Sequence, residues 1–238
     1  MNFPRYRQNE RMDDPGLDPQ LHEDALAALR RINRWSFSVN ALWHSIRTYL
    51  GDRNVREVRI LDLACGSGDV SLSLMRRAVD AGFRAKLTGC DKSPIAINAA
   101  RQHAVRLLPT CTTEVNFIEL DVLDDELPTD HDIVMSSLFL HHLDEEPAVR
   151  LLTRMRETTG DMVLVDDLRR SRFGYWLAWF GSRLLSRSPV VHFDGPVSVS
   201  GAFTVAEARA MADRAGMHGA RIRTHWPQRY LLQWMRSS

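Results

Sequence analysis

The sequence predicts an α/β protein built on a doubly wound, mostly parallel sheet with helices on both faces. Three observations carry that prediction. Short β-like runs alternate with helical stretches between residues 58 and 166. A glycine-rich turn follows the first run, and an acid ends the second. Near the C-terminus the alternation gives way to two β-like runs, 220–225 and 230–235, which read as a closing antiparallel hairpin across Pro227.

Residues 1–16 are polar and carry Pro4, Pro15 and Gly16, so they read as a flexible arm unless something ties them down. From 17 to 50 the apolar residues fall at helical spacing: Leu21, Ala25, Leu29, Ile32, then Val39, Leu42, Ile46 and Leu50. This predicts two helices broken near 35–38, the second stopped by Gly51. Strands follow at 58–64, 86–90, 115–120, 133–138 and 162–166, and helices at 70–81, 94–108 and 147–158. Gly82 stops the first of these helices, and Pro94 opens the second. Residues 168–200 are an insertion, and a last helix at 204–215 stops at Gly216.

Composition bounds the function. The 238 residues are 44% hydrophobic and 26% charged, enough for one sizeable core. The net charge of +1 supplies no global pull toward nucleic acid or an anionic membrane. Cys65, Cys90 and Cys111 match no zinc or redox spacing, so no metal is expected and a reducing compartment is. No apolar leader follows Met1, and the apolar-rich run 173–185 is interrupted by Arg183 and too short to span a bilayer. A soluble, cytoplasmic protein is the expectation.

The informative run is Ile60-Leu-Asp62-Leu-Ala64-Cys65-Gly66-Ser-Gly68-Asp69. Small residues there let a ligand approach the backbone, and the amides of the next helix then face it. Asp91 ends the next strand, where an acid can hydrogen-bond both hydroxyls of a ribose. Ser71 holds the position of a third glycine, which argues against a dinucleotide fingerprint. Asp62 and Asp69 would repel phosphates and suit a ligand that carries an ammonium and a sulfonium.

With these residues in view, the chain resembles class I S-adenosylmethionine-dependent methyltransferases of the small-molecule type over residues 56–238. Residues 62–69 resemble the family's first motif, with Ala64 where many members have glycine, and Gly89-Cys-Asp91-Lys92-Ser93 resembles the second. Asp121-Val122 resembles the pair that holds the adenine. The resemblance implies a Rossmann-like sheet of seven strands with the last reversed. It also implies S-adenosyl-L-methionine as cofactor and S-adenosyl-L-homocysteine as product. Ala64, Cys65, Gly66 and Gly68 would line the methionine portion, with Asp62 near its amino group. Asp91 would bind the ribose, flanked by Lys92 and Ser93, and Asp121 would accept from the adenine amino group, with Val122 against the ring. Ser136, Ser137 and Leu138 would face the sulfonium side. Residues 1–55 would form an arm and helical cap, and 168–200 a lid within the methyltransferase domain. Residues 12–14, 31–34 and 225–230 are further similar to bacterial polyketide- and quinone-pathway methyltransferases.

Three histidines are candidate bases. His141 and His142 follow strand four at the sheet's C-terminal edge, where such sheets hold their active sites. A structural loop is the competing reading for both. His192, beside Asp194, is the third, whereas His225 reads as part of the hairpin. The aromatic run 173–180, flanked by arginines, reads as a lid over a ring-containing acceptor, with a core or dimer helix and a peripheral membrane helix as alternatives. The expected reaction is O-methylation of a phenolic, quinol or polyketide-type compound; the alternatives are C-methylation of a quinone precursor or modification of RNA. A small-molecule partner is expected, nucleic acid is not, and a homodimer is plausible. The near-neutral charge and the lack of a basic module argue against RNA.

Overall fold

The computed structural model describes residues 3–14, 16–34, 37–108, 114–236. The break at Trp35 and the thiol Cys111 therefore lie outside the described residues, as do the side chains of Leu29, Asn33 and Arg34.

Two helices, α1 (Pro19–Arg34) and α2 (Ser38–Asp52), precede the sheet. The alternation runs β1 (Glu57–Leu63), α3 (Asp69–Asp80), β2 (Arg84–Asp91), α4 (Pro94–Leu107), β3 (Val115–Glu119), β4 (His131–Ser137), α5 (Glu145–Thr158) and β5 (Thr159–Leu168). The chain closes with α6 (Arg172–Leu185), α7 (Pro189–Gly201), α8 (Val205–Arg214), β6 (Arg221–His225) and β7 (Arg229–Met235). The seven strands lie in the order β3-β2-β1-β4-β5-β7-β6, with β7 antiparallel to both neighbours and every other pairing parallel. This is the Rossmann-like sheet with a reversed final strand.

Alternation along each strand divides the core between the two faces. Val58, Ile60, Ile133, Met135, Met162 and Leu164 pack with α2, α3 and α4. Leu61, Leu63, Val134, Val163, Val165 and Leu232 pack with α5 and α8. Local signals set the helix ends. Ser93 accepts from the Ala96 amide ahead of Pro94, and Thr204 and Glu207 form a reciprocal capping box at α8. Gly82 and Gly216 take left-handed backbone just past α3 and α8.

Several expectations are corrected. Gly51 does not stop α2, which runs through it to Asp52; left-handed Asn54 makes the turn instead. β5 is longer than its apolar run at both ends: Thr159 pairs with His131 of β4, and β7 pairs with β5 through to Leu168. The insertion is two helices, and the second keeps Pro196 inside it.

The arm is tied down. The Tyr6 amide donates to the Ser200 carbonyl, and the Arg11 and Met12 amides donate to the Asp194 carboxylate. Arg5 reaches the carbonyls of Gly201 and Leu143, and the Phe3 carbonyl accepts from buried Arg170. Residues 3–14 are thus strapped across α7 and the segment after β4.

Candidate active site

Strand register gathers the site. Leu63 stands beside Cys90 on one side and Ser136 on the other, and Ser137 stands beside Asp166. The ends of β1, β2, β4 and β5 therefore form one edge, and the Leu120 amide, bonded to the Asp91 carbonyl, adds β3. The chain turns sharply there: Ala64, Gly66, Gly68 and Leu138 all have positive φ, at 56°, 54°, 72° and 58°. A Cβ on Gly66 would meet nothing within 4 Å, whereas one on Gly68 or Gly89 would strike the Phe117 ring at 2.9 and 2.5 Å. Gly66 thus opens space beside the turn, and the other two let the Phe117 ring pack beneath it.

The Asp91 carboxylate accepts from the Gly66 amide at 2.8 Å and the Ser93 amide at 2.9 Å, tying the two motifs together. Burial raises its pKa above the ordinary range. Asp62 is buried beneath the turn, burial pushes its carboxyl up to about 7, and its Oδ1 has no hydrogen-bond partner. Such an orphan costs free energy unless a donor reaches it. Cys65 sits at the turn with its thiol near the Gly66 carbonyl, and its pKa is raised well above normal by burial. Lys92 is exposed. Asp121 accepts from the Leu123 amide, and Val122 is buried. Ser136 donates to the Leu63 carbonyl, Ser137 keeps a buried, unpartnered hydroxyl, and the Leu138 amide donates to the Asp166 carbonyl. An ammonium-bearing ligand with a ribose fits this set, because orphaned Asp62, open Gly66 and the Asp91 carboxylate would meet its amine, backbone and hydroxyls.

Beyond β4 the histidines meet carboxylates. His141 is buried, with Nδ1 2.6 Å from Asp167 and Nε2 3.5 Å from Glu10. Burial alone would lower its pKa, but the two carboxylates outweigh that and raise it. His142 Nδ1 lies 2.8 Å from Asp13 and its Nε2 3.8 Å from Glu10. Asp13 is close enough to Lys92 and Asp91 for their charges to act on one another. The arm therefore brings acids to both histidines and to the edge of the glycine-turn site. Glu10, His141 and His142 hold ligand atoms within 4.8 Å of one another, a spacing that also suits a divalent cation.

His192 lies apart from this cluster. Its Nε2 is 2.8 Å from the Ser186 carbonyl, so in the neutral ring Nδ1 is the acceptor. It lines a groove of about 510 Å³ between the arm, α6 and α7, with Tyr6, Tyr175, Trp179, Arg183 and Phe193. A second hollow, of about 620 Å³, lies between Arg169–Phe173 and the start of α8. Neither draws a wall residue from the glycine turn or Asp91.

Sequence reasoning missed two groups, Glu10 and Asp13, and left two others, Asp167 and His225, without their partners. Glu10 and Asp13 sit in the segment read as a flexible arm unless something ties it down. Asp167 pairs with His141. His225 is more than hairpin: its Nε2 lies 2.5 Å from buried Asp166, which also faces Arg229 at 3.5 Å. From sequence, Asp166 and Asp167 read as strand-end acids that reach the acceptor site or cap the next segment; instead the two buried acids take two histidine partners.

Residues 60–160 match the model of a family described as "Methyltransferase domain". A ubiquinone biosynthesis O-methyltransferase, mitochondrial, from Schizosaccharomyces pombe is 34% identical over 108 residues. That match covers 44% of this chain and 36% of the relative, so it spans about a third of the curated protein's length. The plantazolicin methyltransferase BpumL, solved with S-adenosylhomocysteine (SAH), superimposes with a TM-score of 0.68 at 16% identity, over 95% of this chain and 92% of that one. Magnesium protoporphyrin IX methyltransferase from Synechocystis PCC 6803, also with SAH, gives 0.59 at 18% identity, over 95% and 91%. At such identities the solved structures speak to the fold. Among the described residues no helix is long and apolar enough to cross a membrane.

Proposed function

We propose, for a chain that carries a class I S-adenosylmethionine-dependent methyltransferase domain across residues 60–160, that it methylates a small hydrophobic acceptor, most simply the hydroxyl of a phenol, quinol or polyketide-type compound. The cofactor would lie along the sheet edge, its amino group on Asp62, its backbone across Ala64 to Gly68 and its ribose on Asp91. Asp121 and Val122 would hold the adenine, and Ser137 and Leu138 would face the reacting sulfur. When bound, S-adenosylmethionine supplies the sulfonium methyl and leaves as S-adenosylhomocysteine. The chain's own task is to align the acceptor, exclude water and receive a proton.

The observation that carries the acceptor reading is the His142–Asp13 pair, 2.8 Å apart, with Asp13 within electrostatic reach of Lys92 and Asp91. With Nδ1–H donated to Asp13, the His142 Nε2 is left as the acceptor and can take the hydroxyl proton as the oxygen attacks. A phenol, with an ordinary pKa of about 10, gains from such a base. The carboxylates of Asp167 and Glu10 favour the charged form of His141, which would hold its proton between them and position its neighbour. His192 and the aromatic groove would guide the acceptor in, with α6 and α7 as a lid over it.

The test is an acceptor screen with radiolabelled cofactor over phenols, quinols, O-blocked analogues and small RNAs. Label on free hydroxyls and none on O-blocked analogues is expected. Label on a blocked ring would replace this reading with C-methylation. Label on RNA alone, or on nothing while the cofactor still binds, would overturn it.

A further inference from the structure

Helix α6 is built inside out. Its buried positions are Gly174 and Ser182, and a Cβ on Gly195 of α7 would lie 3.4 Å from the Ser182 Cβ. Its outward positions are Phe173, Trp176, Phe180 and Leu184, exposed by 58%, 55%, 60% and 85%. These four are spaced by three, four and four residues, so they form one stripe along a single helix face. Singly exposed apolar residues are ordinary, but a contiguous aromatic stripe on the outer face of a helix marks a binding surface.

Charge says what binds there. From Leu168 to Phe193 the chain has no acidic residue and five arginines. Arg170 is buried, whereas Arg172, Arg183 and Arg187 are exposed and border the stripe. Arg183 also lies over the Trp179 ring, 4.0 Å from its centroid. A second copy of this chain fits the surface poorly, because a two-fold contact along α6 would bring arginine-rimmed faces together. A surface of anionic headgroups over an apolar interior meets both features: tryptophan and phenylalanine enter the headgroup–acyl boundary, and arginines stay with the phosphates.

We propose that α6 is an interfacial helix that docks the protein on an anionic bilayer through Phe173, Trp176, Phe180 and Leu184, with Arg172, Arg183 and Arg187 at its rim. The flank of the same helix, in ring contact with the stripe, supplies Tyr175 and Trp179 to the aromatic groove. A docked protein would therefore hold that groove just above the membrane, within reach of an acceptor with an apolar tail. That last step rests on the methyl-transfer reading; the docking does not.

Sedimentation of the full chain with vesicles tests it without acceptor or cofactor. One set is phosphatidylcholine alone, and the other contains about one third phosphatidylglycerol. Binding to the anionic set is expected, on the order of 100-fold tighter than to the neutral set and reversed by salt. The double variant Trp176→Ser/Phe180→Ser should lose binding at least tenfold, and Arg172→Gln/Arg187→Gln should lose the preference for anionic lipid. The thermal midpoint and S-adenosylmethionine binding of each variant report that it is folded. A wild type that stays in the supernatant with anionic vesicles overturns the proposal, as does a Trp176→Ser/Phe180→Ser variant that binds equally well. A stable dimer that this double variant turns into monomers would make the stripe a self-interface and would also overturn it.

Discussion

At the residue scale, orphaned and strained groups lie at the ends of the strands. Buried Asp62 and its unpartnered oxygen are stable only at a cost, and a bound ammonium removes that cost. Asp62→Ala should therefore weaken S-adenosylmethionine by roughly tenfold to a hundredfold while leaving the fold as stable as before or more so. Calorimetric titration beside thermal melts reads both, and weak binding with a lowered midpoint would contradict it. Asp91→Ala differs, because the same carboxylate ties the Gly66 and Ser93 amides. It should lose binding by at least about a hundredfold and some stability as well. Ala64 makes the opposite case. Its φ of 56° is a left-handed conformation that glycine adopts freely, so Ala64→Gly should raise stability by about 0.5 kcal/mol, roughly 1–2 °C in the melting midpoint. His142→Gln should lower kcat by about 10²-fold or more and leave cofactor affinity intact, and Asp13→Asn should follow it more weakly. Equal losses in cofactor affinity would assign His142 to binding instead.

At the element scale, what the sequence made legible and what it hid divide along one physical line. The glycine turn and the capped helices were readable because each is set by neighbours within a few residues, whereas Asp91, 25 residues from the Gly66 amide it binds, and the reversed strand were legible through the family resemblance. Ser93 before Pro94 and Thr204 three before Glu207 are local signals that the fold obeys. The carboxylates around the two histidines were not readable. Glu10 and Asp13 lie roughly 130 residues from His141 and His142, and only the strapping of the arm onto α7 brings them together. That strapping depends on Asp194, whose carboxylate takes two arm amides although burial pushes its carboxyl up to about 6. Asp194→Ala should release the arm and lower kcat along with His142→Gln, with little change in the affinity for cofactor. Proteolysis of the first fifteen residues, faster in the variant than in the wild type, would report the release. An arm equally protected in both would show that Arg5 and Arg170 suffice to hold it.

At the scale of the whole molecule, Glu10, His141 and Asp167 join three distant stretches of chain: the arm, the turn after β4 and the end of β5. All three groups are largely buried, so their charges couple folding to pH. The sign follows from each shift. His141 is raised from 6.5 to about 10, so its contribution is complete below pH 6.5 and is lost as pH climbs toward 10. Glu10 and Asp167 are lowered from 4.5 and 3.8, so their contributions are present above those values and are lost as pH falls below them. The share of stability that this cluster supplies should thus be greatest between about pH 5 and 6.5 and should decline on the alkaline side before any lysine or arginine titrates. His141→Gln keeps a hydrogen-bonding side chain but no titratable proton, so it should be less stable at pH 6 and should lose the alkaline slope. Thermal midpoints of the two proteins from pH 5 to 10 measure it. The difference between them should shrink steadily above pH 6.5, and a constant difference would mean that His141 is neutral in the folded protein and bonded to its acids through a single proton on Nδ1.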